Sequence, residues 1–154
     1  ANGRPNLVGI EAVSFNLSHS ADVAALAISR DTRVGVDVED IREIRSDEIE
    51  RALSIAERLE LAEAADALQL ETFFRFWTLK EAFMKGTGLG ASLPLHDFDV
   101  SPAGPGLLRL KSAPTEPGRW RFDEFVPKPG IRAALAARTD DRDLVVQWRW
   151  ADFE

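Results

Sequence analysis

The amino-acid sequence predicts an α+β fold with a long central helix. The first third of the 154 residues has strand patterns, the middle has helical periodicity, and the last third returns to strands punctuated by proline and glycine. Segregated strands and helices are typical of α+β folds, whereas doubly wound sheets alternate the two. The apolar fraction of 45% is ordinary for a chain that buries a core.

Three strands are predicted before the helices, at residues 13–18, 23–29 and 33–39. The first two segments are short apolar runs of strand length. The third alternates strictly, which places two types of residue on opposite faces of the strand. One face has Val34, Val36 and Val38, and the other has Gly35, Asp37 and Glu39. We expect the valine face to pack on the core.

The middle of the chain predicts helices. Ser46 begins one helix, and Ser54 and Glu57 have the spacing of a capping box for the next. A long helix is expected over residues 68–85, because glycines that are typical of a helix end follow it. Five further strands are expected, at residues 97–101, 107–111, 119–126, 131–138 and 144–150.

The composition excludes several kinds of site. The chain has no cysteine, which excludes disulfides, thiolate zinc sites and cysteine nucleophiles. With only two histidines, a metal site must depend on carboxylates, which favour a hard cation such as Mg²⁺. The net charge of −7 argues against a general nucleic-acid-binding protein. No segment has the pattern of a membrane span or a signal peptide, so we expect a cytoplasmic protein.

Three carboxylates and a lysine are the first candidates for chemistry. Asp37 and Glu39 share a strand face and repel each other unless water or a cation separates them; the alternative is the solvated face of an edge strand. Glu81 lies within an apolar stripe of the long helix, where an unpaired carboxylate is costly. The alternative for Glu81 is an ion pair with Lys85, one helical turn away.

Candidate phosphate contacts come from two places. The segment Phe15-Asn16-Leu17-Ser18-His19-Ser20 ends a predicted strand in small polar residues and a histidine. Hydroxyls, backbone N–H groups and an imidazole at a strand end can bind phosphate, although an ordinary turn has the same residues. Lys80 projects about 100° around the helix from Glu81. It is a second phosphate contact or a solvated lysine.

Four segments occur in order along the chain. They are Gly3-Arg4-Pro5, Phe15-Asn16-Leu17-Ser18-His19-Ser20, Val34-Gly35-Val36-Asp37-Val38-Glu39 and Phe76-Trp77-Thr78-Leu79-Lys80-Glu81-Ala82-Phe83-Met84-Lys85. This series resembles the 4′-phosphopantetheinyl transferase superfamily, specifically its larger, surfactin-synthetase-activating branch. The resemblance implies a lobe in which an antiparallel sheet packs on the long central helix.

The resemblance also implies an activity and roles for named residues. A Mg²⁺-dependent enzyme would transfer the 4′-phosphopantetheine group of coenzyme A to a serine of an acyl or peptidyl carrier protein, releasing adenosine 3′,5′-bisphosphate. Asp37, Glu39 and Glu81 would hold the Mg²⁺, and Glu81 would also act as the general base. The residues implied to contact phosphate are Arg4, Ser18, His19 and Lys85, of which Lys85 stabilises the leaving group.

The larger members of this family have two similar lobes, and this chain departs from that pattern. Residues 1–32 would be a remnant of the first lobe that carries the Ser-His segment, and residues 33–154 the metal-binding catalytic lobe. We expect a second chain or segment to complete the fold. Two alternatives stay open: a Mg²⁺-dependent hydrolase of a pyrophosphate bond, and a non-catalytic subunit or half of such an enzyme.

Overall fold

The computed structural model describes residues 13–30, 32–102, 108–110, 120–138 and 144–151. Within these residues the strands are β1 (Ser14–Ser20), β2 (Val23–Ser29), β3 (Val34–Asp40), β4 (Val100–Pro102), β5 (Leu108–Leu110), β6 (Trp120–Phe125) and β7 (Ile131–Arg138). The helices are α1 (Ser46–Ala52), α2 (Ile55–Glu63) and α3 (Gln69–Thr87), with short 3₁₀ turns at Asp66–Leu68, Gly90–Ser92 and Leu95–Asp97. The predicted α+β class is confirmed.

The strands form three antiparallel sheets. The largest has the order β3-β7-β6, while β1 pairs with β2 in a hairpin and β4 pairs with β5. In the largest sheet Asp37 lies opposite Ala134 of β7, which is rich in alanine. Small residues on β7 leave room for α3, which packs against both β3 and β7. This packing brings a helix of polar and apolar residues directly over the strand that carries the paired carboxylates.

Helix α3 is central because it is apolar over much of its circumference. Its buried aromatic residues pack against the sheet and against the segment before β4; they are Phe73, Phe74, Phe76 and Phe83. The ring of Phe83 contacts three other aromatic rings: Phe98, Trp120 and Phe122. The helix ends at Gly88, whose φ of 74° is the left-handed conformation that favours glycine at this position.

The contact between β3 and α3 depends on a missing side chain. A Cβ added to Gly35 would lie 2.1 Å from the carbonyl oxygen of Ala82 and 2.3 Å from the amide nitrogen of Gly86. Both neighbours are helix backbone, which cannot move aside as a flexible side chain can. Gly35 therefore sets the close approach that brings the β3 carboxylates to the face of α3.

One predicted strand is wrong. Residues 144–150 are not part of any described sheet, since their backbone has no ladder with a neighbouring strand. Their alternating pattern reflects packing instead: Leu144 and Val146 are half-buried against the cluster that contains Ala27 and Leu135. The other predicted elements within the described residues are present, with shifted ends; the long helix begins one residue later and ends two residues later. None of the described helices is long and apolar enough to cross a bilayer.

Candidate active site

Asp37 is the buried centre of the site. Its side chain is 2% exposed, so a solvated outer face is the wrong interpretation of this residue. Oδ1 accepts hydrogen bonds from the hydroxyl of Ser18 at 3.0 Å and from Nζ of Lys85 at 2.6 Å. Oδ2 is also buried, and no described residue donates a hydrogen bond to it. Burial raises the pKa of Asp37, although the charge and hydrogen bond of Lys85 oppose this.

Ser18 of β1 links the carboxylate to the lysine. Its Oγ donates to Asp37 and accepts from Nζ of Lys85 at 2.9 Å and from the amide of Val38 at 3.3 Å. The neighbouring His19 lies on the opposite face of the strand, where it is exposed and opposite Ala24 of β2. The structure therefore places Ser18 among the carboxylates and His19 on the outer face of the hairpin.

Lys85 and Glu81 reach the site from α3. The alternative of a Glu81–Lys85 ion pair is wrong, because Nζ of Lys85 pairs with Asp37. Burial raises the pKa of Glu81 to about 7, and the negative charges of Asp37 and Glu39 add to this, while Lys85 opposes it. A carboxyl group with such a pKa can hold or accept a proton near neutral pH.

Trp77 is a site residue whose role the sequence motifs did not predict. Its indole Nε1 donates a hydrogen bond to Oε1 of Glu39 at 3.1 Å, and its ring stacks on Phe73. Burial raises the pKa of Glu39, the charge of Asp37 adds to this, and the bond from Trp77 lowers it. The sequence held an indication of this role, because Trp77 lies one helical turn before Glu81. Its indole N–H is the kind of donor that a half-buried carboxylate such as Glu39 needs.

The three carboxylates influence one another, but they do not form a metal cage as they stand. The pKa values of Asp37, Glu39 and Glu81 are all raised, and like charge contributes to the shifts of the two glutamates. Among the described residues, no group of three or more carboxylate or imidazole side chains is close enough to hold a metal ion. The cation that Asp37 contacts is Lys85.

Lys80 lies elsewhere. Its side chain is fully buried and forms an ion pair with Glu57 at 2.5 Å. Its Nζ also donates to three carbonyl oxygens, those of Ala52, Leu95 and Phe98. This placement speaks against the predicted phosphate contact, because the ammonium group already has four protein partners and no exposed surface. Arg4 lies outside the described residues.

Comparison with known proteins identifies the family. The family model for the 4′-phosphopantetheinyl transferase superfamily matches residues 33–139, which is more than half of the chain. The chain belongs to the 4′-phosphopantetheinyl transferase superfamily. The matched segment contains β3 and α3, and with them Asp37, Glu39, Glu81 and Lys85. The superfamily and branch predicted from the sequence motifs are confirmed.

Two curated relatives show how much of their length the chain spans. The 4′-phosphopantetheinyl transferase psf-1 of Bacillus pumilus is 40% identical over 111 residues, covering 71% of this chain and 47% of the relative. The 4′-phosphopantetheinyl transferase HetI of Nostoc sp. is 33% identical over 125 residues, covering 79% of this chain and 50% of the relative. The chain thus spans about half the length of these relatives.

A solved structure shares the fold of this chain. A holo-(acyl-carrier-protein) synthase from Bacillus anthracis, in complex with CoA (3′,5′-ADP), superposes with a TM-score of 0.59 at 18% identity. The match covers 69% of this chain and 94% of that chain. The expected antiparallel sheet on a long helix is therefore shared with this holo-synthase.

Proposed function

We propose that the protein transfers the 4′-phosphopantetheine group of coenzyme A to a serine of an acyl or peptidyl carrier protein, with Mg²⁺ as cofactor and adenosine 3′,5′-bisphosphate as leaving group. One observation carries this proposal. In a chain of this superfamily, Asp37 is buried against Lys85 and next to two carboxylates whose pKa values are also raised. Groups with perturbed pKa values of this kind are concentrated at active sites.

The donor chemistry of these side chains suits a divalent cation, although the described residues do not group three carboxylates closely enough to hold one as they stand. The buried Oδ2 of Asp37 has no hydrogen-bond donor among the described residues, and carboxylate oxygens are the ligands that Mg²⁺ prefers. A cation would also relieve the repulsion that helps to raise the pKa values of Glu39 and Glu81. We assign the metal-binding role to Asp37, Glu39 and Glu81. When bound, Mg²⁺ would orient the phosphoryl oxygens and neutralise their charge.

Different protein side chains then carry out the separate parts of the reaction. The hydroxyl oxygen of the carrier-protein serine forms a bond to the β-phosphorus of coenzyme A, and the bond from that phosphorus to the adenosine bisphosphate breaks. Glu81, with its pKa of about 7, accepts the serine proton. Lys85 is 29% exposed at its side chain and can turn its ammonium toward the departing phosphate. Ser18 orients Asp37, and we retain His19 and Arg4 as phosphate contacts.

A second chain or segment is part of this proposal. The outer face of the β1–β2 hairpin exposes three large apolar side chains: Leu17, Leu26 and Ile28. A patch of this kind is typical of a surface that another part of a protein covers. The chain also spans only about half the length of its relatives. We propose a cytoplasmic location, which agrees with the absence of cysteine.

Intact mass spectrometry of an apo carrier protein tests this activity. We expect the carrier to gain one phosphopantetheine group when it is incubated with the protein, coenzyme A and Mg²⁺, and to gain none with Asp37→Ala or Glu81→Gln. The matched control is Glu63→Gln, an exposed glutamate on α2 that should react as the native protein does. An unmodified carrier would refute the transferase when the folded native protein is assayed together with the chain or segment that completes it.

The same reaction mixtures separate the alternatives. Release of 4′-phosphopantetheine without any carrier protein would indicate hydrolysis of the pyrophosphate bond. Binding of coenzyme A by the folded protein, with neither product formed, would indicate a non-catalytic subunit.

A further inference from the structure

Strand β1 lies along β3 without any backbone ladder between them. The two strands belong to different sheets. Instead, side-chain oxygens of β1 accept hydrogen bonds from backbone amides of β3, always from the residue twenty positions later. The pairs are Ser14 with Val34 at 3.4 Å, Asn16 with Val36 at 2.8 Å, Ser18 with Val38 at 3.3 Å, and Ser20 with Asp40 at 2.9 Å. We call these four bonds the side-chain ladder.

The side-chain ladder satisfies the free edge of the carboxylate strand. In an antiparallel pair only alternate residues bond to the neighbouring strand, so every second amide of β3 faces away from β7. Those amides are the four that donate hydrogen bonds to side-chain oxygens of β1. A buried amide without an acceptor is costly, which gives β1 a strong preference for its position beside β3. Because the offset is constant, the two strands run in the same direction.

The register of the side-chain ladder decides which residue meets Asp37. The hydroxyl of Ser18 accepts from the Val38 amide and donates to Asp37, so one atom belongs to both the ladder and the site. A slip of two residues would keep the same face of β1 toward β3, because side chains alternate along a strand. It would also move Ser18 away from Asp37 and Lys85.

Asn16 differs from the other members of the ladder. It is an asparagine, whereas the other three members are serines. It is 8% exposed, and its hydrogen bond is the shortest of the four. The carbonyl oxygen of Asn16 lies one bond farther from the backbone than a serine hydroxyl, so a slip of two residues would place it opposite an amide that a shorter side chain now bonds. Serine hydroxyls are interchangeable with one another. One amide carbonyl among three hydroxyls thus distinguishes the observed register from a slipped one.

We propose that Asn16 is a positioning residue whose hydrogen bond to the Val36 amide locks β1 in register on β3 and so holds the Ser18 hydroxyl between Asp37 and Lys85. Asn16 touches none of the reacting groups and acts through Ser18. The structural part of this inference is independent of any activity, and its consequence for the rate of transfer rests on the proposed function.

Amide hydrogen exchange of the intact protein tests the register lock. In Asn16→Ala we expect the amides of Val36 and Val38 to exchange about tenfold faster, because the lost acceptor loosens two successive bonds of the ladder. The amides of Gly35 and Asp37 face β7 and should be unchanged. Asn16→Ser supplies an acceptor but makes all four positions of the ladder alike, so it should recover only part of the protection. Faster exchange at Val36 alone, or equally at all four amides, would overturn the proposal.

Transfer kinetics test the consequence for catalysis. We expect Asn16→Ala to lower kcat about tenfold with little change in the KM for coenzyme A, and to lose this effect in a Ser18→Ala background, because it acts through Ser18. The control is Glu63→Gln, the exposed glutamate on α2, which belongs neither to the ladder nor to the candidate phosphate-binding segment. If kcat of the double variant falls by the product of the losses in Asn16→Ala and Ser18→Ala, the two residues act independently and the proposal is overturned. Failure of the native protein to transfer would refute the proposed function, and hydrogen exchange would still decide the register lock.

Discussion

The indole nitrogen of Trp77 lies 3.1 Å from Oε1 of Glu39, joining the long helix to the strand of paired carboxylates. The ring of Trp77 is held in turn by stacking on Phe73, with centroids 5.9 Å apart. An N–H group fixed in this way leaves the second oxygen of Glu39 available and sets the orientation of the carboxylate. Hydrogen-bond partners of metal-ligating side chains typically change metal affinity by about 10- to 100-fold when they are substituted.

Trp77→Phe should weaken metal binding without unfolding the protein. The substitution removes the N–H donor but keeps an aromatic ring against Phe73, so we expect the free energy of unfolding to change by less than about 1.5 kcal/mol. We expect the affinity for Mg²⁺ to fall by about 10- to 100-fold. Titration calorimetry and urea unfolding measure the two quantities. An unchanged affinity would mean that the bond to Glu39 has no role in metal binding.

Gly35→Ala should destabilise the protein by about 3 kcal/mol or more, because its Cβ would overlap two backbone atoms of α3. The control is Gly130→Ala, whose Cβ would meet open space. Its φ of 81° makes alanine strained there, at a cost of about 1–2 kcal/mol. Urea unfolding compares the two variants. Equal destabilisation would show that the close approach of β3 and α3 does not require glycine.

Lys80→Met should destabilise the protein by about 3–5 kcal/mol, because it leaves the buried carboxylate of Glu57 without its cation. Adding Glu57→Gln should recover part of this loss, since the amide side chain carries no charge and can still accept the bond from the Val100 amide. Unfolding of the two single variants and the double variant measures the coupling. A stable Lys80→Met protein with a raised KM for coenzyme A would restore the predicted phosphate contact.

The stability of the metal-free protein should fall as the pH rises from about 4.5 to about 7. Over this range Glu81 keeps its proton in the folded protein and has released it in the unfolded chain, because its folded pKa is about 7 and its ordinary value is 4.5. The folded state therefore binds more protons, and stability decreases with increasing pH. Glu81→Gln should flatten this dependence in urea unfolding measured in the presence of a chelator. Identical slopes for the two proteins would contradict the raised pKa.

The order of elements could be predicted because periodicity is a local property of the chain. The strand at residues 131–138 and the alternation of Val34, Val36 and Val38 needed no knowledge of neighbours. The error at residues 144–150 has the same origin, because an alternating pattern reports burial of one face and does not report whether a partner strand is present. The side-chain ladder could not be predicted at all, since it depends on two strands meeting without backbone pairing.

The sequence by itself determined the fold class and the family, because each of these depends on residue type and spacing. Only the tertiary structure decided how the candidate site residues are paired. In the structure Lys85 pairs with Asp37, and Lys80 is buried against Glu57. Ser18 and His19 lie on opposite faces of β1. The physical reason is that an ion pair depends on distance and burial in three dimensions. Residues of α3 contact residues of β3 that lie 38 or more positions earlier in the chain.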